Sequence, residues 1–403
     1  MTFAPFAVPS PDVTVNAGPS VATGLVPVTV PIQPVTLPSG IIQPQPPPTG
    51  FSFPGASNVY PLSELGNSTY WCCAGRDGNI WFTEASDTLG SVWRVTPAGV
   101  ATEFEIGAPL GVIGVVAAQI CSGPDGNLWV TGTTAVYQVT TDGAVTAFTV
   151  GTSLTGICSG SDGNLWAADQ GAGGIWQITT SGDSTFFSLA VEGANAICAG
   201  PDGNLWVVGT LTDQTVFVVS TSGDLLQTID LGVIGVNMAA ICSGPDGRVW
   251  TTGYRGGSPN DGYIFAITPD GAVTTFTVTN DDGGDDRGPE LTGIATGAGG
   301  DLWVTDQFDF LWKCTIDGKL TAFSAPDDLI GICSGPDGSL WVAGYNGHAV
   351  AFPFIIQAPA INLTQGDLTF DSNGQGPVVT DQADGHTYRI ISTAGALSTQ
   401  MVT

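Results

Sequence analysis

The sequence predicts an all-β chain built as a seven-bladed β-propeller, with an extended Pro-rich N-terminal arm and a small C-terminal β module. Three observations predict it. Among 403 residues there are 57 Gly and 42% hydrophobics but only 11% charged residues, the composition of short apolar strands joined by many turns. A ten-residue segment ending in Trp recurs seven times. The intervals between its copies match the length of a four-stranded blade.

The repeat is clearest as Ile120-Cys-Ser-Gly-Pro-Asp-Gly-Asn-Leu-Trp129, and it returns at Ile157–Trp166, Ile197–Trp206, Ile241–Trp250 and Ile332–Trp341. Looser copies end at Trp81 and Trp303. The anchors Trp81, Trp129, Trp166, Trp206, Trp250, Trp303 and Trp341 are spaced by 48, 37, 40, 44, 53 and 38 residues. In the unit of Trp166, Gly156-Ile-Cys is the inner strand and Ser-Asp-Gly the hairpin turn, with Gly supplying the positive φ. Asn164-Leu-Trp-Ala is the second strand, Ile175-Trp-Gln-Ile the third and Thr185-Phe-Phe-Ser the fourth. The large aromatic of the second strand fills the gap between twisted neighbouring sheets.

Turns between third and fourth strands recur at Ala98-Gly99, Asp142-Gly143, Ser181-Gly182, Ser222-Gly223, Asp270-Gly271 and Asp317-Gly318, six turns for seven anchors. After Trp341 the chain offers one more strand, around Ala349–Phe352. Each fourth strand carries an aromatic about ten residues before the next repeat Cys, as Phe148 does for Cys158. That register points to Val59-Tyr-Pro-Leu, so a strand over 58–63 is expected to close the ring in the last blade. The expected organisation is an arm over residues 1–57, a propeller over 58–355 and a docking β-meander over 356–403.

Six cysteines, Cys73, Cys121, Cys158, Cys198, Cys242 and Cys333, lie eight residues before their Trp, and Ala295 takes that place before Trp303. Cys exchanging with Ala marks a small, buried, weakly polar site, and reduced thiols fit folding in a cytoplasm.

Loop length varies on one face, that of the second-to-third loops and the crossings between blades, where binding is expected. Leu110-Gly-Val-Ile-Gly-Val115 and Leu231-Gly-Val-Ile-Gly-Val236 are identical loops. They read either as a lid packed on the ring or as an apolar docking patch, with Leu110, Val112, Ile113, Leu231, Val233 and Ile234 as contacts. The loop Asn280–Glu290 holds five acids; Asp281, Asp282, Asp285 and Asp286 are candidate Ca²⁺ ligands, though without EF-hand spacing. No other cofactor is expected. The position three after each Trp is Gly in four blades but Glu84, Asp169 and Asp306 in the others, three carboxylates that could serve binding. Catalytic signals are thin: the only histidines are His348 and His386, and no nucleophile elbow or phosphate loop occurs.

Eight Lys or Arg face 36 Asp or Glu, a net charge of −28, which excludes nucleic acid and anionic membrane surfaces as partners. Met1–Pro11 has no basic residue, no signal peptide is read there, and no apolar run reaches the roughly 18 residues of a membrane span. Residues 1–50 hold 12 of the 27 prolines and a single charge, Asp12; so apolar an arm suits attachment to a partner.

The Gly-Pro-Asp-Gly-Asn-Leu-Trp repeats resemble the seven-bladed streptogramin B lyase-like propellers, relatives of the NHL repeats, over about residues 58–353. That resemblance implies metal-assisted C–O elimination by histidines and a glutamate around Mg²⁺. Since this propeller contains only His348, that constellation has no place here and no catalytic residue carries over. The cassette Asp384-Gly-His-Thr-Tyr-Arg-Ile…Gly-Ala-Leu is similar to a terminal module on structural proteins of tailed phages of actinobacteria. It implies a virion component, made in the host cytoplasm, which contacts other virion proteins through the arm and C-terminal module and a host receptor or glycan through the propeller. The alternatives are a lyase with an atypical site and a cellular protein-binding scaffold.

Overall fold

The computed structural model describes residues 14–16, 58–62, 68–85, 90–106, 119–189, 193–209, 214–255, 261–279, 288–308, 310–325, 328–352, 378–380, 387–393 and 396–402. Among them, every regular element is a β-strand, and no helix is long and apolar enough to cross a membrane. The chain divides into two units, Phe51–Phe354 and the paired ends Met1–Gly50 with Ile355–Thr403.

The larger unit is a seven-bladed propeller of four-stranded antiparallel sheets. Blade 3 shows the pattern, with Leu154–Ser159, Leu165–Asp169, Gly174–Ile178 and Ser184–Ser188 in spatial as in chain order. Blade 7 takes three strands from Leu329–Ser334, Leu340–Gly344 and His348–Phe352. Its outer strand is Asn58–Pro61, in the register Asn58↔Ala351, Val59↔Val350, Tyr60↔Ala349 and Pro61↔His348.

The core is not one mass but seven slabs, each lying between consecutive blades around one anchor Trp. Five of these, Trp81, Trp129, Trp166, Trp206 and Trp250, are fully buried. The turn before each explains its sequence. In blade 2, Asp125 accepts bonds from Asn127 N and from the indole Nε1 of Trp129 at 3.1 Å, and the Asn127 side chain donates to its other oxygen at 2.8 Å. The Asp-Gly-Asn-Leu-Trp run is therefore a hydrogen-bonded unit, repeated at Asp162–Trp166 and Asp202–Trp206. Gly126 has φ 85°, a conformation cheap only for Gly. Three residues earlier, a Cβ on Gly123 would lie 2.4 Å from Trp129 Cδ1, so Gly there admits the indole edge.

The outer face of each Trp is covered by the fourth strand. Phe104, Phe148 and Phe276 stack on Trp81, Trp129 and Trp250 at 5.4, 5.6 and 5.8 Å. Tyr60 does the same for Trp341 at 5.7 Å. Each ring then reaches the following blade, where a third-to-fourth turn must be Gly: a Cβ on Gly99 would lie 2.1 Å from Tyr60, and on Gly143 2.0 Å from Phe104.

The smaller unit is a sheet in the order Thr14–Asn16, Val378–Thr380, Thr387–Thr393, Ala396–Val402. The arm contributes a strand, pairing Thr14↔Thr380 through Asn16↔Val378. The strand lies at the sheet edge, where its backbone groups find partners.

Candidate functional site

Seven inner strands start on the face that carries the crossings, and in six blades the pairing of the inner with the second strand shifts register near that start. Such bulges re-aim side chains. Here residues near the inner-strand starts and the second-strand ends converge on the axis around a cavity of about 380 Å³. Every blade contributes to its lining. Blades 1 to 4 supply Trp71, Gln119, Thr155 and Asn195, blades 5 and 6 add Tyr254, Thr292 and Gln307 with Ala239, and blade 7 supplies Ile330.

Several of these groups also clasp the ring. Thr155 Oγ1 donates to Ala194 O of the next blade at 3.0 Å, Asn195 Nδ2 to Met238 O at 2.7 Å, and Thr292 Oγ1 to Leu329 O at 2.9 Å. Gln119 Oε1 accepts from Ile157 N at 3.3 Å. Trp71 reaches farthest. It packs against the core between blades 1 and 2 and against that between blades 5 and 6, so its indole spans the axis. Gly331 allows this, since a Cβ there would sit 2.7 Å from Trp71 Cα.

The three carboxylates singled out from the sequence lie elsewhere. Glu84, Asp169 and Asp306 are buried, at 3%, 0% and 0% exposure, and each works inside its own blade. Asp169 accepts from Thr152 N and Oγ1, Ser153 N, Gly171 N, Ala172 N and Trp176 Nε1, all within 3.0 Å. It ties a crossing, a loop and a third strand together. Asp306 accepts from Glu290 N, Phe308 N and Trp312 Nε1, and Glu84 from Trp93 Nε1. They are internal braces rather than a presented binding set. A sequence signal for this exists: of the 11 Trp, seven are anchors and one is Trp71, and the remaining three, Trp93, Trp176 and Trp312, occur only in blades with a carboxylate. In blade 2 the same place holds Gly132, where a Cβ would lie 2.8 Å from Tyr137.

Burial pushes the Asp169 carboxyl up, but the donors from Trp176, Ala172 and Thr152 outweigh it and hold it below the usual range. At Asp306 burial wins, and with the neighbouring Glu290 charge it pushes the carboxyl to about 6 against fewer donors.

The paired apolar loops fare differently. Leu110, Val112 and Ile113 lie outside the described residues. Leu231 is 4% exposed and Val233 packs on the core between blades 4 and 5; Leu231 is core, not contact surface. Ile234 alone projects, at 84% exposure. Asp281, Asp282, Asp285 and Asp286 also lie outside the described residues, and no three His, Cys, Asp or Glu among the described residues are placed to share a metal. The thiols are packing groups. Cys158 faces Trp166 across the strands, and burial pushes the Cys121 and Cys242 thiols up to about 12.

A family model, the virginiamycin B lyase family, matches residues 51–225 and 191–352. The chain belongs to this family. Among solved structures, a catalytically inactive virginiamycin B lyase from Staphylococcus aureus with quinupristin is similar at 20% identity and a TM-score of 0.64, over 74% of this chain and 99% of that one. A streptogramin B lyase structure aligns at 20% identity and 0.62, over 73% and 97%. The WD40 propeller domain of Doa1 aligns at 12% identity and 0.56, over 76% and 99%. At these identities the structural likenesses establish the propeller fold. No curated protein sequence matches the chain. The Mg²⁺ that the resemblance implies is a hard cation wanting carboxylates, and a lining of indole, phenol, amides and hydroxyls does not fit it.

Proposed function

We propose that the chain is a non-enzymatic structural component of a tailed-bacteriophage virion, a minor tail or surface protein whose propeller binds the host surface. The observation that carries this reading is the axial cavity. Six blades turn neutral aromatic or hydrogen-bonding side chains into it and the seventh adds Ile330, and no Asp, Glu, His, Lys or Arg stands among its described lining residues, the groups that most often move protons. The unit made by the two chain ends supports an attachment role. Its arm carries one charge in 50 residues while the chain carries −28, so the arm is where a second acidic protein approaches with least repulsion. The likeness of the C-terminal cassette to phage structural modules points the same way. On this reading the partners are other virion proteins and a host receptor, with no nucleic acid and no membrane insertion. The protein is made in the host cytoplasm and resides in the particle.

Mass spectrometry of purified particles should find the chain at stoichiometric levels, and the free protein should compete with particle adsorption to host cells. Its absence from particles overturns the reading. Family membership favours one other function, metal-assisted C–O lysis through an atypical site. Turnover of quinupristin with added Mg²⁺ would establish that function in place of the binding role.

A further inference from the structure

We infer that the axial cavity binds a neutral saccharide ring, with the Trp71 indole as platform and the amides of Gln119, Asn195 and Gln307 reading its hydroxyls. This rests on the host-binding reading and names its ligand class. A pyranose has flat C–H faces and a rim of hydroxyls that each donate and accept. The first calls for an aromatic plane, and the second for side chains that can do both, as amides can. The cavity supplies both together. Trp71 spans the axis between the core of blades 1 and 2 and that of blades 5 and 6, and Tyr254 adds a second ring from blade 5.

Two of the amides arrive pre-set. Gln119 holds its oxygen on Ile157 N, and among the described residues its N–H groups are left for a ligand. Asn195 commits one N–H to Met238 O, leaving its oxygen and second N–H unclaimed among the described residues. Side chains fixed by the ring's own clasps lose little freedom on binding. A volume of about 380 Å³ suits a small ligand, at the lower end of the range of roughly 300–1,000 Å³ for such pockets. It fits one or two rings, with any longer glycan leaving through the open face. An anionic ligand would find no counter-charge in the described lining, and the net charge of −28 repels anions besides.

The test is calorimetric titration of the full chain with methyl glycosides of glucose, galactose, mannose and N-acetylglucosamine. Glucuronic acid and glucosamine serve as charged controls, and a neutral glycan prepared from host cells is compared with its free monosaccharides. At least one neutral pyranoside should bind and the charged sugars should not. Gln307→Ala should weaken binding about fivefold to tenfold without moving the melting temperature, and Trp71→Phe should weaken it by about tenfold. Ile234→Ser, at an exposed loop away from the cavity lining, should leave it unchanged. Tighter binding of the polymer than of the monosaccharide identifies a glycan end as the source; equal binding identifies a free sugar. Preference for a charged sugar, or no heat from any neutral one, overturns the inference. If the protein still competes with particle adsorption in that case, the host-binding reading stands and only the ligand class falls. If it neither binds sugar nor competes, both fall.

Discussion

Asp169 and Asp306 stand at equivalent positions in blades 3 and 6, yet their carboxyls are pushed in opposite directions. Both are buried and both accept from a third-strand Trp. Asp169 gathers six donor bonds, which outweigh its burial. Asp306 has three and faces the Glu290 charge. The consequences for stability differ in sign. A carboxyl held low contributes stability above its unfolded value and loses it as pH falls through its folded value, so Asp169 weakens the protein in acid. A carboxyl raised to about 6 contributes most below the unfolded value and loses that contribution as pH rises through about 6. Asp306 should therefore cost about 3 kcal/mol between roughly pH 4 and pH 6. Urea denaturation from pH 3 to pH 8 should show Asp306→Asn flattening that decline and Asp169→Asn weakening the protein at neutral pH. Parallel profiles for both variants and the parent would contradict this account.

Each blade is a strand set with one aromatic stack, and blade 4 breaks the pattern. Where its neighbours place Phe187 or Phe276 between their own Trp and the next blade's turn, blade 4 places Gln227, whose amide would lie 2.1 Å from a Cβ on Gly271. Leu225 and Leu226 on the same strand are exposed. Gln227 donates to Asp270 O at 3.3 Å, a bond near the surface worth little. Gln227→Phe should slide over Trp206 as Phe148 does over Trp129, and raise stability by about 0.5–1.5 kcal/mol. A higher urea midpoint with an unchanged slope checks this; a lower midpoint would mean that the backbone of blade 4 has diverged from the others. The repeat spacing made these strands readable, because Gly turns and Trp anchors recur in fixed register. The carboxylate braces were readable only by pairing two positions within a blade, residue 84, 169 or 306 with a Trp on the third strand.

The ring holds because its first and last blades share one slab of core. Leu62, Cys72, Ile80 and Phe82 from the start of the propeller pack with Trp341, Ala349 and Ala351 from its end, and Leu62 N donates to Gly347 O at 2.9 Å. In six blades the fourth strand is joined to the third by a short turn. In the seventh it is separated from it by almost the whole propeller, so its contacts, together with the bonds from Thr69 Oγ1 to Gly344 O and His348 O, keep the ring shut. Tyr60→Ala removes the stack on Trp341 and the packing over Gly99, and should cost about 2 kcal/mol. Unfolding followed by Trp fluorescence should also accelerate more than in Phe148→Ala, whose strand stays tethered by its turn. Equal rates in the two variants would show that the ring does not open at this seam.

The number of blades, their strand order and the aromatic that seals the last were legible in the sequence, because each follows from local periodicity: a Gly that must take positive φ, an Asp that caps its turn, a Trp eight residues after a Cys. The cavity was not. Trp71, Gln119, Asn195 and Gln307 share no motif, and they sit in sequence among residues that look like ordinary strand ends, three in or beside an inner strand and Gln307 just past a second strand. Only closing seven twisted sheets on one axis, with a bulge at the head of most inner strands, brings them within reach of one another. Curvature summed over the whole ring is a long-range property that no window of a single blade contains.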